Sequence, residues 1–224
     1  MLQRWILILA GIIWLAACVG GGTVLLRYSS TAGERGNTLS QWPVNSRIAQ
    51  CKDEDTLVIA VHPHCPCTRA SMVELNDLML ALKGKVKAYV LVMKPREFPA
   101  GWENTDVVSG ARRIPDTTVV FDLDGVEAAR FGAKTSGQAV LYDEKGRLLF
   151  NGGITAGRGH IGDNPGLQRI ISLVKTGKAD KNDSLVFGCP LNAKFCPLSR
   201  STLENAPKGE RDKSFSYLNF NKEK

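Results

Sequence analysis

Histidine is scarce in this chain. There are 3 in 224 residues, His62, His64 and His160, and two of them fall in one short stretch. Zinc-finger spacing and RNA-binding signatures are both missing. The net charge of +7 comes from basic residues interspersed with acidic ones, which reads as surface solvation, so nucleic acid is not expected as a partner. Charge itself is missing from residues 5–26, "WILILAGIIWLAACVGGGTVLL". A helix crosses a bilayer with about 20 apolar residues, whereas the apolar core of a cleaved secretory signal is only about 7–15 residues long. The stretch therefore predicts a transmembrane helix, with residues 1–27 as membrane anchor or signal segment. Within it, "LAAC" resembles a lipoprotein signal with Cys18 as the lipidated residue, but the apolar run continues past Cys18, which favours an uncleaved anchor.

What is present is thiol. Cys51, Cys65, Cys67, Cys189 and Cys196 lie beyond the apolar segment. So many cysteines in the body and tail point to an oxidising location outside the cytoplasm, with a single-pass anchor and the body facing the periplasm or exterior. Residues 28–50 are rich in Ser, Thr, Gly and Asn and read as a linker. Residues 51–177 carry alternating strand and helix patterns. "TLVIAV" (56–61), "VKAYVLVM" (86–93) and "TTVVF" (117–121) read as strands, and "QAVLY", "DEKG", "RLLFN" (138–151) as a hairpin. Met72, Leu75, Met79 and Leu82 mark a helix running to Gly84, and "ENTDVVSGARR" predicts a short one. A last helix is announced by Asn164 as N-cap and Pro165 at the first turn, with a buried stripe of Leu167, Ile170, Ile171 and Val174. Apart from "LVFGCPL" (185–191), residues 178–224 are polar and predict a largely disordered tail containing Cys189 and Cys196.

A strand–helix–strand unit, then a hairpin and a covering helix, predicts a thioredoxin-like α/β fold in three layers around a central mixed β-sheet. The stretch "FDLDGVEAARFGAKTSGQAVLYDEKGRLLF" resembles the second half of membrane-tethered thioredoxin-like proteins of the TlpA and ResA type. More narrowly, "HPHCPCTRAS", "TSGQ" and "FGCPL" together resemble the bacterial group labelled RedB. The resemblance implies a thiol–disulfide oxidoreductase needing no organic cofactor. Its partners would be a protein thiol or disulfide substrate and an electron donor.

Relatives read "CPPCRA" where this chain reads "CPCTRA". Aligning on Arg69 and Ala70 makes Cys65 the attacking cysteine at the helix N-cap, where unpaired N–H groups and the helix dipole lower a thiol pKa. Pro66 takes the first helical position, Thr68 falls where the resolving cysteine should be, and Cys67 has moved one place earlier. Residues i and i+2 of a helix point apart, and a disulfide needs Cβ atoms about 3.5–4.5 Å apart. Cys67 is the first candidate for resolving thiol through a strained, oxidising bond, with Cys189, Cys51 or a partner protein as alternatives. The cis-proline that the resemblance implies before the fourth strand is replaced by Gly137. His64, Thr68, Arg69 and His160 are read as supporting residues. His160 is placed by topology in a loop, 152–164, that returns to the motif.

A second reading is a copper-binding or copper-delivering module. His62, His64, Cys65 and Cys67 offer thiolate and imidazole suited to Cu(I) or Zn, and the set partly resembles the thioredoxin-like Sco proteins. A redox-inactive interaction domain is a third. A peroxidase is disfavoured, because His62 stands where a peroxiredoxin has Thr or Ser. Cys189 and Cys196 bracket six residues and are spaced for a local disulfide.

Overall fold

A computed structural model describes residues 2–191. Helix α1, Leu2–Ser30, is one continuous apolar rod whose side chains are almost all exposed. It is long and apolar enough to cross a membrane.

The body is built on five strands: β1 (Asp55–Val61), β2 (Val86–Lys94), β3 (Thr117–Leu123), β4 (Gln138–Tyr142) and β5 (Leu148–Gly153). Their order across the sheet is β3-β2-β1-β4-β5. β1 pairs parallel with β2, and β2 with β3, while β4 runs antiparallel to both β1 and β5. This is the thioredoxin-like mixed sheet expected from the strand and helix pattern. β1 alternates its side chains between two cores, as the period of a pleated strand demands. Leu57, Ile59 and Val61 enter one core with Leu75, Leu78 and Met79 of α2 (Thr68–Ala81) and Val107 and Val108 of α3 (Asp106–Ala111). Leu167, Ile170 and Leu173 of α5 (Pro165–Thr176) join them. Val58 and Ala60 enter the other with Ala128 of α4 (Val126–Arg130), Phe131 and Tyr142. Asn164 caps α5 as expected, its side chain accepting from the amides of Gly166 and Leu167.

Two segments do more than their composition suggested. Residues 33–50, read as a linker, lie along the second core: Ile48 is buried, and Trp42 packs edge-on against Phe131 and Tyr142, with centroids 4.9 and 5.3 Å away. The largely disordered tail expected from residue 178 onward begins with a packed stretch, 183–191, that includes "LVFGCPL". There Val186, Phe187 and Leu191 are buried, and Pro190 bridges Thr135 ahead of β4. Both segments are too short in apolar residues to show a period, yet each sends a few large side chains into a core that the sheet has already formed. Cys196 lies outside the described residues, so its expected pairing with Cys189 does too.

Candidate active site

The motif occupies the turn between β1 and α2, at the C-terminal end of the central strand. The amide of Cys65 bonds the His62 carbonyl at 3.1 Å, and the amide of Thr68 bonds the Cys65 carbonyl at 3.0 Å. Two successive turns thus fold the chain before the helix begins. α2 starts at Thr68, and its N-cap is Cys67, not Cys65 as expected. The displaced cysteine has moved the cap with it: Cys65 sits two residues ahead of the cap, and Pro66 is outside the helix.

Cys65 is 1% exposed, and its thiol is nevertheless pulled from an ordinary value of 9.0 down to about 4. The largest cause is a hydrogen bond from the Cys189 thiol. The Thr68 hydroxyl and the backbone amides of Cys189 and Cys67 add to it, against burial, which pushes the other way. Hydrogen bonds to the charged form are what let a buried group stay ionised. Cys67 is pushed up, first by burial and then by the Cys65 charge, although the Arg158 side chain bonds it and offsets part of this. Cys189 is pushed up strongly, because its proton is committed to Cys65. The three thiols therefore share one negative charge, and it resides on Cys65.

Thr68 fills the place of the missing resolving cysteine and helps fix the site. Its hydroxyl lies 2.9 Å from that of Ser136, which in turn accepts from the amide of His62 at 2.9 Å. Gly137 follows at φ +90, with its amide bonded to the Ala60 carbonyl at 2.8 Å, and no peptide bond among the described residues is cis. Ser136 also donates its amide to the Cys189 carbonyl at 2.8 Å. The loop that would carry a proline is thus used to hold residues 187–190 beside the motif. A Cβ at Gly188 would collide with the Ser136 carbonyl oxygen, so only glycine permits the approach.

The histidines turn toward an aromatic wall. His64 and His62 pack on Trp102 with ring centroids 4.6 and 5.4 Å away. A His64 ring nitrogen, Nε2, lies 2.7 Å from the Trp102 carbonyl oxygen, and His62 Nδ1 accepts from the His64 amide at 3.2 Å. Burial lowers the His62 pKa and outweighs the raising effect of the Cys65 thiolate, so His62 is neutral at pH 7. Among the described residues no three His, Cys, Asp or Glu side chains gather as metal ligands. Arg69 pairs with Asp106 at 2.8 Å on the surface.

The loop 152–164 does return to the motif, as the topology required. The residue that meets a cysteine there is Arg158, which bonds Cys67 and donates to the Gly188 carbonyl at 2.7 Å. His160 is exposed in the same loop and lines a shallow cavity with Ser29, Ser30 and Gly157. Arg158, Ser136 and Trp102 had no signal of their own in the sequence. Cys189 had one, the "FGCPL" stretch, in a region otherwise too polar to suggest packing.

No family model matches the chain, and no curated protein is significantly similar to it. Solved structures do match. One is a protein of Sinorhizobium meliloti, 18% identical over 72% of this chain and 94% of that one, with a TM-score of 0.54. Another is a conserved protein of Geobacillus kaustophilus, 14% identical over 75% of this chain and 94% of that one, with a TM-score of 0.52. A secreted disulfide oxidoreductase of Mycobacterium tuberculosis overlaps less, at 21% identity over 43% and 67%, with a TM-score of 0.35. At these identities the likeness concerns the fold alone.

Proposed function

We propose that the protein is a membrane-anchored, extracytoplasmic thiol–disulfide oxidoreductase with an atypical C-P-C site, and that Cys65 is its attacking thiolate. One observation carries the reading. A buried cysteine stands in the turn after the central strand of a thioredoxin-like sheet, just ahead of α2, and its thiol pKa is pulled down to about 4, first by the Cys189 thiol. The thiolate is the nucleophile of disulfide exchange, and so a thiol ionised near pH 4 is armed across the whole neutral range. The substrate is a protein disulfide or dithiol, and no organic cofactor is needed, because both electrons reside on sulfur. The motif, "TSGQ" and "FGCPL", which together resemble the RedB-labelled group, all lie around this one thiol.

The anchor belongs to the same reading. α1 has the length and apolarity to cross a membrane, and a body with several thiols suits an oxidising compartment. Protease added to spheroplasts of cells carrying the full chain should digest the body; full protection would reverse the orientation.

The chemical test is reduction of insulin disulfides by dithiothreitol, catalysed by the detergent-solubilised full chain. Wild-type protein should accelerate the reaction and Cys65→Ser should lose the acceleration, since removing the nucleophile removes the covalent intermediate. Equal rates for the two proteins would defeat the proposal.

A further inference from the structure

We propose that Cys189 is the resolving thiol of the Cys65 site. This rests on the oxidoreductase reading just given and assigns that reading its second catalytic sulfur. The geometry of residues 187–190 carries it. They are fixed beside the motif by the Ser136 amide on the Cys189 carbonyl (2.8 Å), by the Thr135–Pro190 bridge and by Arg158 on the Gly188 carbonyl (2.7 Å). Gly188 is required for the close approach to Ser136, which places Cys189 beside the loop whose Ser136 hydroxyl holds the His62 amide and Thr68 of the motif. The Cys67 thiol also reaches Cys65, but the backbone at Cys67 is already committed to the helix. Cys67 is the N-cap of α2 in helical geometry, φ −67 and ψ −25, and its carbonyl accepts from the Ser71 amide at 3.4 Å. Closing a ring across Cys65–Pro66–Cys67 requires that cap and the preceding turns to unwind. Closing Cys65–Cys189 leaves the cap of α2 in place and removes one proton and two electrons from the pair.

The exchange balances. The Cys65 thiolate attacks one sulfur of a substrate disulfide R–S–S–R′, forming Cys65–S–S–R and releasing R′S⁻. Cys189 then attacks the Cys65 sulfur. Its thiol proton goes to the departing RS⁻, the Cys65–Cys189 disulfide forms, and the substrate has gained two electrons. A dithiol donor returns the pair to its reduced form. Because Cys65 is almost wholly buried and residues 187–190 lie beside the motif, that segment moves aside for the first step, and its return delivers the second thiol.

The full chain, equilibrated in detergent with reduced and oxidised dithiothreitol, quenched in acid, alkylated and digested, should yield a peptide linking Cys65 to Cys189, with Cys67 alkylated. Cys67→Ser should still form that link. A Cys65–Cys67 link with Cys189 alkylated, or a Cys189–Cys196 link that leaves Cys65 free, would overturn the assignment. With oxidised glutathione, Cys189→Ser should accumulate a glutathione adduct on Cys65 that wild-type protein clears at least about 100-fold faster. Equal clearance overturns the resolving role. A Cys65–Cys189 link in wild type with no adduct in the variant supports the pairing and defeats the oxidoreductase reading instead.

Discussion

Thr68 stands where a C-x-x-C site would have its second sulfur, and the substitution exchanges one role for another. A cysteine there would resolve; a threonine there can only stabilise. Its hydroxyl donates to the Cys65 thiolate and is itself oriented by Ser136 at 2.9 Å. Thr68→Val keeps the shape and removes the donor. A hydrogen bond to a charged group contributes about 1.5–3 kcal/mol, and 1.36 kcal/mol is one pKa unit. The variant's Cys65 should therefore titrate about 1–2 units higher, visible as a shift of the pH dependence of iodoacetamide labelling. An unshifted profile would remove Thr68 from the site. The thiol pair and the threonine also explain how far the sequence could be read at this scale. "CPC" after a strand announced reactive cysteines, and the shift from "CPPCRA" announced a displaced partner. Cys189 was one of several alternatives in the sequence, and the choice among them was not legible, because residues 188–189 are held by the Ser136 amide and the Arg158 side chain and no local pattern encodes those bonds.

At the scale of elements, β1–β5, α2 and α5 followed from alternation and helical spacing, since each carries its own buried stripe. The flanking segments did not, because their contribution is a few side chains placed on a finished core. Ile48 is buried among Val58, Phe131 and Tyr142. Ile48→Ala should cost about 2–5 kcal/mol in urea denaturation of the reduced protein, the range for truncating a buried aliphatic side chain. A free linker would give a change within about 0.5 kcal/mol. Gly188 tests the other flank. Gly188→Ala drives a methyl into the Ser136 carbonyl, and residues 187–190 must retreat from the motif. Overpacking of this kind costs about 1–3 kcal/mol. The more telling result is loss of the Cys65–Cys189 link under oxidising equilibrium, and an unchanged link would show that the close approach is dispensable.

For the molecule as a whole, the sharing of one charge among three thiols ties redox state to pH. Cys65 falls from 9.0 unfolded to about 4 folded. A lowered folded pKa contributes stability that is complete above the unfolded value and is lost as pH falls toward 4. Only the reduced protein has this group to titrate, so its melting temperature relative to the oxidised protein should rise between about pH 4 and pH 9. Stabilising the reduced form also makes the disulfide a stronger oxidant, as in the acidic-thiol members of the exchange series. A gap between the two melting temperatures that is flat with pH would contradict the charge assignment.

The most direct test of the central claim is thiolate absorbance at 240 nm of the reduced full chain, titrated from pH 3 to pH 9 beside its Cys65→Ser variant. A Cys65-dependent step is expected with a midpoint near pH 4, complete well before neutrality. A Cys65-dependent step centred at pH 8 or above would contradict it, because the site would then hold an ordinary buried thiol and no armed nucleophile.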